Sequence, residues 1–476
     1  MGLGKRALIG IGWISVATYT GVVISFGGNV LLARLLGPDD FGIYALASSM
    51  LMIVFMVSAF GSQEAIVQCR NEGLQNFIPT AFWMTIGLGI ILAGVGTLLG
   101  LYLQSIHSRT IGLLIVSLSW VNFLNMIGNA YGAILQRELH YKPIAILGII
   151  ATFISFCIAV IAAYFKGGVW SLFLREGIQA FLMLVVFMWF TGYRLPFAFD
   201  KQASIWVWNF GWKIMGAGIS ESLLTSVDKL AIGTFLGTIT LGYYSLAYRL
   251  TVLGHQFSQG IVSSVSYSTF AAIQKDSRRL CLVFEKLYFW LFRWTLLLGL
   301  VIWFGGNALV VLVYGPQWQI AGNLFQQMSI LLILLPLTGA LKIFLIASGN
   351  INTVLKIRVW QLIFFIFAIF WATYFWQSIT ITVWVINISM LLSWILMTFS
   401  VKKIIPVNWG YLMSKPVAIG CISFAMGNIV GRLGNITGSV QAVFTGVAFG
   451  MMLLLWEGRE LKLEWAKIRA QLASSY

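Results

Sequence analysis

The stretch Leu36-Gly37-Pro38-Asp39-Asp40-Phe41-Gly42-Ile43-Tyr44-Ala45-Leu46-Ala47 returns in degenerate form as Leu236-Gly237-Thr238-Ile239-Thr240-Leu241-Gly242-Tyr243-Tyr244-Ser245-Leu246-Ala247. About half of the aligned positions are identical, which marks an internal duplication rather than chance composition. The two copies hold the same place within two apolar halves of one chain. Each copy reads as a tight helix–helix hairpin. Gly37 suits a left-handed helix stop, Pro38 the first position of the next helix, and Asp39 and Asp40 its positive end. In the second copy Gly237 and Thr238 take the parts of stop and cap.

The solvent for these halves is lipid. Hydrophobic residues make up 59% of the 476 positions and charged residues 9%, whereas a soluble domain needs about 25% charged residues to cover its surface. Windows of about twenty apolar residues predict an all-α polytopic membrane protein with about fourteen spans. They start near Ile9, Phe41, Ile78, Ile111, Pro143, Val169, Val207, Leu241, Leu287, Ile320, Leu355, Ile379, Leu412 and Ile436. The first apolar run follows Lys5 and Arg6 and is longer than a signal-peptide core, so it is expected to be an uncleaved anchor.

The formal charge of +16 is distributed by side. Loops after even-numbered spans carry Arg70, Arg137, Lys142, Arg194, Lys201, Lys275, Arg278, Arg279, Lys356, Arg358, Lys402, Lys403 and Lys415; those after odd-numbered spans offer little beyond Arg109, Lys166 and Arg432. The positive-inside rule then places both termini in the cytoplasm, in a cytoplasmic (inner) membrane, and accounts for the basic excess without nucleic acid. Cys69, Cys157, Cys281 and Cys421 show no metal-ligand spacing, and no phosphate-cradling loop of the GxxxxGK[ST] kind is present. Neither a metal, a cofactor nor ATP hydrolysis is expected.

The repeat sets the organisation: an N-terminal lobe over 1–192 with spans one to six, a connector over 193–206, a second lobe over 207–400 with spans seven to twelve, and 401–476 with two further spans and a tail. An even number of spans per lobe relates the two six-helix lobes by a pseudo-twofold axis along the membrane normal, the layout of parallel-repeat transporters with a cavity between two rocking halves. In the tail Leu461, Trp465, Ile468 and Leu472 share one helical face, away from Lys462, Lys467 and Arg469, as in a helix lying on an anionic surface.

Charges inside spans are costly and therefore informative. They are Arg34, Arg175, Glu176, Lys213, Glu221, Asp228, Lys229, Arg249, Arg293 and Lys342. Four charges on the seventh span would cost roughly 10 to 14 kcal/mol if all faced hydrocarbon, so they should turn inward. Lys213, Glu221 and Asp228 are spaced to lie near one helical face. Arg175 and Glu176 are neighbours that project differently, and each is expected to need a partner elsewhere. Deep cations outnumber deep anions, which favours an anionic or phosphorylated cargo. Arg34, Arg175, Lys213, Arg249 and Arg293 are the candidate substrate-binding residues; Glu176, Glu221 and Asp228 are the candidates for ion coupling. His107, His140 and His255 are scattered and are left out of the site, and most of the tryptophans fit interfacial belts.

Leu31-Leu32-Ala33-Arg34-Leu35-Leu36-Gly37-Pro38-Asp39-Asp40-Phe41-Gly42 resembles the first helical hairpin of the polysaccharide transporters, within the multidrug, oligosaccharidyl-lipid and polysaccharide exporter superfamily. Asp228-Lys229-Leu230-Ala231-Ile232-Gly233 with Leu236-Gly237 and Leu241–Leu250 is similar to that family's second-lobe counterpart, and Val313-Tyr314-Gly315-Pro316-Gln317-Trp318 to a third pattern. Relatives often carry a proline where this chain reads Val265-Ser266-Tyr267-Ser268. The resemblance implies a V-shaped, two-lobed flippase that moves an undecaprenyl-diphosphate-linked oligosaccharide by alternating access, with the last two spans grooved for the prenyl tail. It also implies membrane lipids, a polysaccharide polymerase and export machinery as partners. The alternative within the superfamily is an ion-coupled multidrug or cation antiporter, whose cavity would favour carboxylates over the cations found here. A membrane glycosyltransferase or polymerase would show a large extramembrane loop with clustered acids, which the sequence lacks.

Overall fold

A computed structural model describes the backbone of residues 3–473 apart from 59–62, 64, 67–73, 107, 139–140, 193–196, 274–276 and 435–437. Fourteen long helices follow one another among the described residues. They are α1 (Leu3–Leu35), α2 (Pro38–Phe55), α3 (Leu74–Ile106), α4 (Arg109–Arg137), α5 (Tyr141–Tyr164), α6 (Val169–Thr191), α7 (Lys201–Phe235), α8 (Thr238–Ile273), α9 (Ser277–Tyr314), α10 (Ser329–Ala347), α11 (Ile351–Tyr374), α12 (Ile379–Lys402), α13 (Trp409–Gly434) and α14 (Gly438–Ala473). The protein is an all-helical polytopic membrane protein with 12 membrane-span candidates among the described residues. The long helices outside that set are α7 and α8, with 35 and 36 residues. Length is ample for both; hydropathy is lowered by Lys213, Glu221, Asp228 and Lys229 in one and by the many Ser, Thr, Tyr and Gln residues in the other. Large apolar side chains such as Trp189, Phe367 and Leu455 are more than 70% exposed, as a lipid-facing surface requires.

The duplicated turns differ from one another. Gly37 is extended, with φ −81°, and not left-handed as its place after a helix led us to expect. Its N–H donates to the Asp40 carboxylate at 3.2 Å, so the acid three residues on fixes the entry to α2. Gly237 does take the left-handed stop, with φ +88°. The Thr238 hydroxyl, expected to cap its own helix, instead donates to Asp39 Oδ1 at 2.5 Å. α7 begins inside the stretch read as connector, because the Asp200 carboxylate accepts from the N–H groups of Gln202 and Ala203. The tenth span was expected near Ile320. There a separate short helix, Gln319–Gln327, is docked on α9 by Gln326, whose Nε2 donates to the Trp303 carbonyl at 2.9 Å; α10 starts only at Ser329. α8 runs unbroken through Val265–Ser268.

The chain forms two compact units, Met1–Gly242 and Tyr243–Tyr476. In the first, α1 packs on α5, α3 on α4, α4 on α6 and α2 on α7. Phe82, Tyr131, Ile134, Phe187 and Val207 share its core, and Trp206 of α7 meets Phe77 of α3 edge-on at 5.2 Å. In the second, α9 is the central element, against α10, α13 and α14. Phe284, Tyr288, Leu341, Phe344 and Met397 fill its core, where Trp394 Nε1 donates to the Tyr288 hydroxyl at 2.7 Å.

Candidate functional site: two intramembrane arginine–glutamate pairs

α6 presents Arg175 from the second turn of an apolar helix to the interior of the first unit, where it is 8% exposed. Neighbouring helix residues diverge by about 100°, so a contact within the dipeptide seemed excluded. The long guanidinium arm overcomes this divergence: Arg175 Nη2 lies 2.9 Å from Glu176 Oε1. The same nitrogen donates to the Tyr44 hydroxyl of α2 at 3.3 Å. The guanidinium also stands over the rings of Tyr44 and Phe156, 5.8 and 5.6 Å from their centroids, and both faces supply cation–π attraction in a dry setting. Arg175 Nε has no hydrogen-bond partner in the structure. The Glu176 side chain keeps 37% of its surface exposed. Sequence reasoning gave Arg175 and Glu176 but missed Tyr44, because a tyrosine inside a repeated hairpin motif reads as packing.

The second pair lies wholly inside the second unit. Arg293 of α9 reaches Glu457 of α14 through Nε and Nη2, both at 2.6 Å, with the two side chains 4% and 0% exposed. Its Nη1 donates to the Phe289 carbonyl at 2.9 Å, and the guanidinium carbon stands 3.3 Å from the Phe289 ring centroid. This is a forked, fully desolvated arrangement of the kind that fixes two helices in register. Arg293, expected to line a vestibule, is committed to Glu457. That glutamate is not among the sequence candidates; its signal is Arg293 itself, a deep cation in need of a carboxylate.

The remaining candidates are spread over α1, α7 and α8. Arg34 is exposed in the last turn of α1, Asp228 is 2% exposed on α7, and Arg249 is exposed on α8. Lys213 and Glu221 belong to α7 by backbone, but their side chains lie outside the described residues, as do those of Lys462, Lys467 and Arg469 in the tail. α14 continues as one helix to Ala473 through the segment read as a separate surface helix. His107 and His140 also lie outside the described residues.

Apolar, outward-exposed helices with arginine–glutamate pairs in their interiors define a polytopic membrane protein. A family model described as polysaccharide biosynthesis protein matches residues 31–323, and the chain belongs to this family of polysaccharide flippases and transport proteins. It is 25% identical over 374 residues to the lipopolysaccharide biosynthesis protein WzxC of Escherichia coli K12, covering 78% of this chain and 75% of that one. It is likewise 25% identical over 328 residues to the succinoglycan biosynthesis transport protein ExoT of Rhizobium meliloti, covering 67% and 64%. Among solved structures, the lipid II flippase MurJ in an inward closed conformation superposes with a TM-score of 0.74 at 13% identity, over 94% of this chain and 99% of that one, a likeness of fold.

Proposed function

We propose that this flippase moves an undecaprenyl-diphosphate-linked oligosaccharide repeat unit from the cytoplasmic to the periplasmic or outer leaflet of the cytoplasmic membrane, by alternating access of a fourteen-span bundle with both termini in the cytoplasm. A polymerase and export machinery would take up the product. In this reading Arg175, with Arg34 and Lys213 of the same unit, holds the diphosphate, and Glu176, Glu221 and Asp228 couple the movement to an ion gradient. Arg293 is left to its pair with Glu457.

The observation that carries the reading is the Arg175–Glu176 pair. Glu176 lies seven residues into α6, about 10 Å from its start at 1.5 Å per residue. A half-exposed carboxylate at that depth is far cheaper in water than in hydrocarbon, which supports a wet recess beside it. An arginine there offers a planar fork matched to phosphate oxygens. In a strain whose surface polysaccharide depends on this chain, Arg175→Gln should abolish the polymer while the protein still inserts, and Arg175→Lys should restore part of it. Wild-type polymer from Arg175→Gln would overturn the assignment.

A further inference from the structure

Arg175 holds a carboxylate, a phenol hydroxyl and two aromatic faces at once, more than a surface-seeking cation needs. Glu176 is bound on one side only and keeps over a third of its side chain exposed, whereas the arginine behind it is nine-tenths buried with Nε unpartnered. The Tyr44 hydroxyl accepts from the same Arg175 nitrogen that holds Glu176, so α2 braces the pair. The Phe156 ring of α5 lies 5.6 Å from the guanidinium carbon. Any anion that approaches Arg175 from the Glu176 side therefore meets a like charge already seated there.

We propose that Glu176, braced by Tyr44, is a built-in competitor for Arg175: its carboxylate occupies the guanidinium until a phosphate-bearing anion displaces it. The inference rests on the reading of Arg175 as the anion site for the cargo, and adds that the empty site is self-neutralised. Two consequences follow from the chemistry. A monoanion no stronger than a carboxylate gains little by the exchange, whereas a diphosphate, with more charge and more acceptor oxygens, gains from both. Selectivity against weak anions is thus set by Glu176 and Tyr44 rather than by Arg175 alone, which is a form of discrimination by a repulsive element.

The test is binding of inorganic pyrophosphate to the purified full chain in lipid nanodiscs, followed by titration calorimetry. Glu176→Gln should tighten binding by roughly tenfold, Tyr44→Phe by a smaller factor, and Arg175→Gln should remove it. A purely structural pair predicts the opposite sign, since losing Glu176 would then loosen the site. Loss of binding in Arg175→Gln together with unchanged or weaker binding in Glu176→Gln overturns the competitor and leaves the anion site standing. Wild-type binding in Arg175→Gln overturns both. Should Glu176→Gln fail to fold, Glu176→Asp and Tyr44→Phe decide by the same sign.

Discussion

Gly42 and Gly242 meet reciprocally. A methyl group on Gly42 would overlap the Thr238 carbonyl, and one on Gly242 would overlap the Pro38 carbonyl, so each copy of the duplicated hairpin uses its glycine to admit the backbone of the other. The repeat that reveals the duplication in the sequence is thus also the place where its two copies touch.

Gly42→Ala and Gly242→Ala should each destabilise the protein by about 1 to 3 kcal/mol, because the obstacle is backbone and cannot swing aside. The control is Gly27→Ala on α1, where nothing stands within 4 Å; it should be neutral or stabilising by about 0.5 to 1 kcal/mol. Melting of the detergent-solubilised protein measures all three, and equal melting temperatures for Gly42→Ala and Gly27→Ala would contradict the contact.

The hydrogen bond from Thr238 to Asp39 crosses the same junction but is exposed. Thr238→Val should therefore cost only about 0.5 to 1.5 kcal/mol, less than either glycine change. A loss larger than that of Gly242→Ala in the same melts would mean that the polar contact, not the backbone approach, holds the hairpins together.

Arg293 and Glu457 give the largest expected loss. Arg293→Gln or Glu457→Gln leaves one buried charge without its partner and should cost about 3 to 5 kcal/mol, whereas Arg293→Met with Glu457→Leu should recover most of that. The yield of monodisperse protein on size exclusion, with its melting temperature, reads both. If the double apolar variant is no better than the singles, the pair does more than hold α9 to α14.

In the proposed topology the Lys- and Arg-rich loops face the cytoplasm. Lys402 and Lys403 are exposed at the end of α12. In a cysteine-free background, a cysteine at Lys403 should resist a membrane-impermeant maleimide in intact cells, and one at Gly37 or Gly237 should react. The reverse labelling pattern would invert the proposed topology and the direction of transport with it.

Much of this architecture is legible in the sequence, since long apolar helices are dictated by lipid itself; 12 helices among the described residues are long and apolar enough to cross a membrane, and α7 and α8 are long but not apolar enough. The start of α10 is not, because Gln319, Asn323 and Gln326 form a docked polar turn that an apolar window averages away. Gly37 and Gly237 occupy equivalent places, yet Gly237 is left-handed and Gly37 is extended, the conformation that a residue before proline prefers, with its N–H held by Asp40. Charged residues were easy to single out but their partners were not. Pairing between α9 and α14 joins residues 164 apart, and the Arg175–Glu176 contact depends on a side-chain bend that helical angles alone argue against.

Transport of a lipid-linked glycan is tested most directly by its sidedness. In cells that lack this chain but make the repeat unit, the lipid-linked repeat should accumulate in the cytoplasmic leaflet, shielded from an impermeant sugar-modifying reagent, and reach the outer leaflet again when the wild-type chain, but not Arg175→Gln, is restored. Lipid-linked repeats reaching the reagent at the same rate with and without the chain would contradict the account.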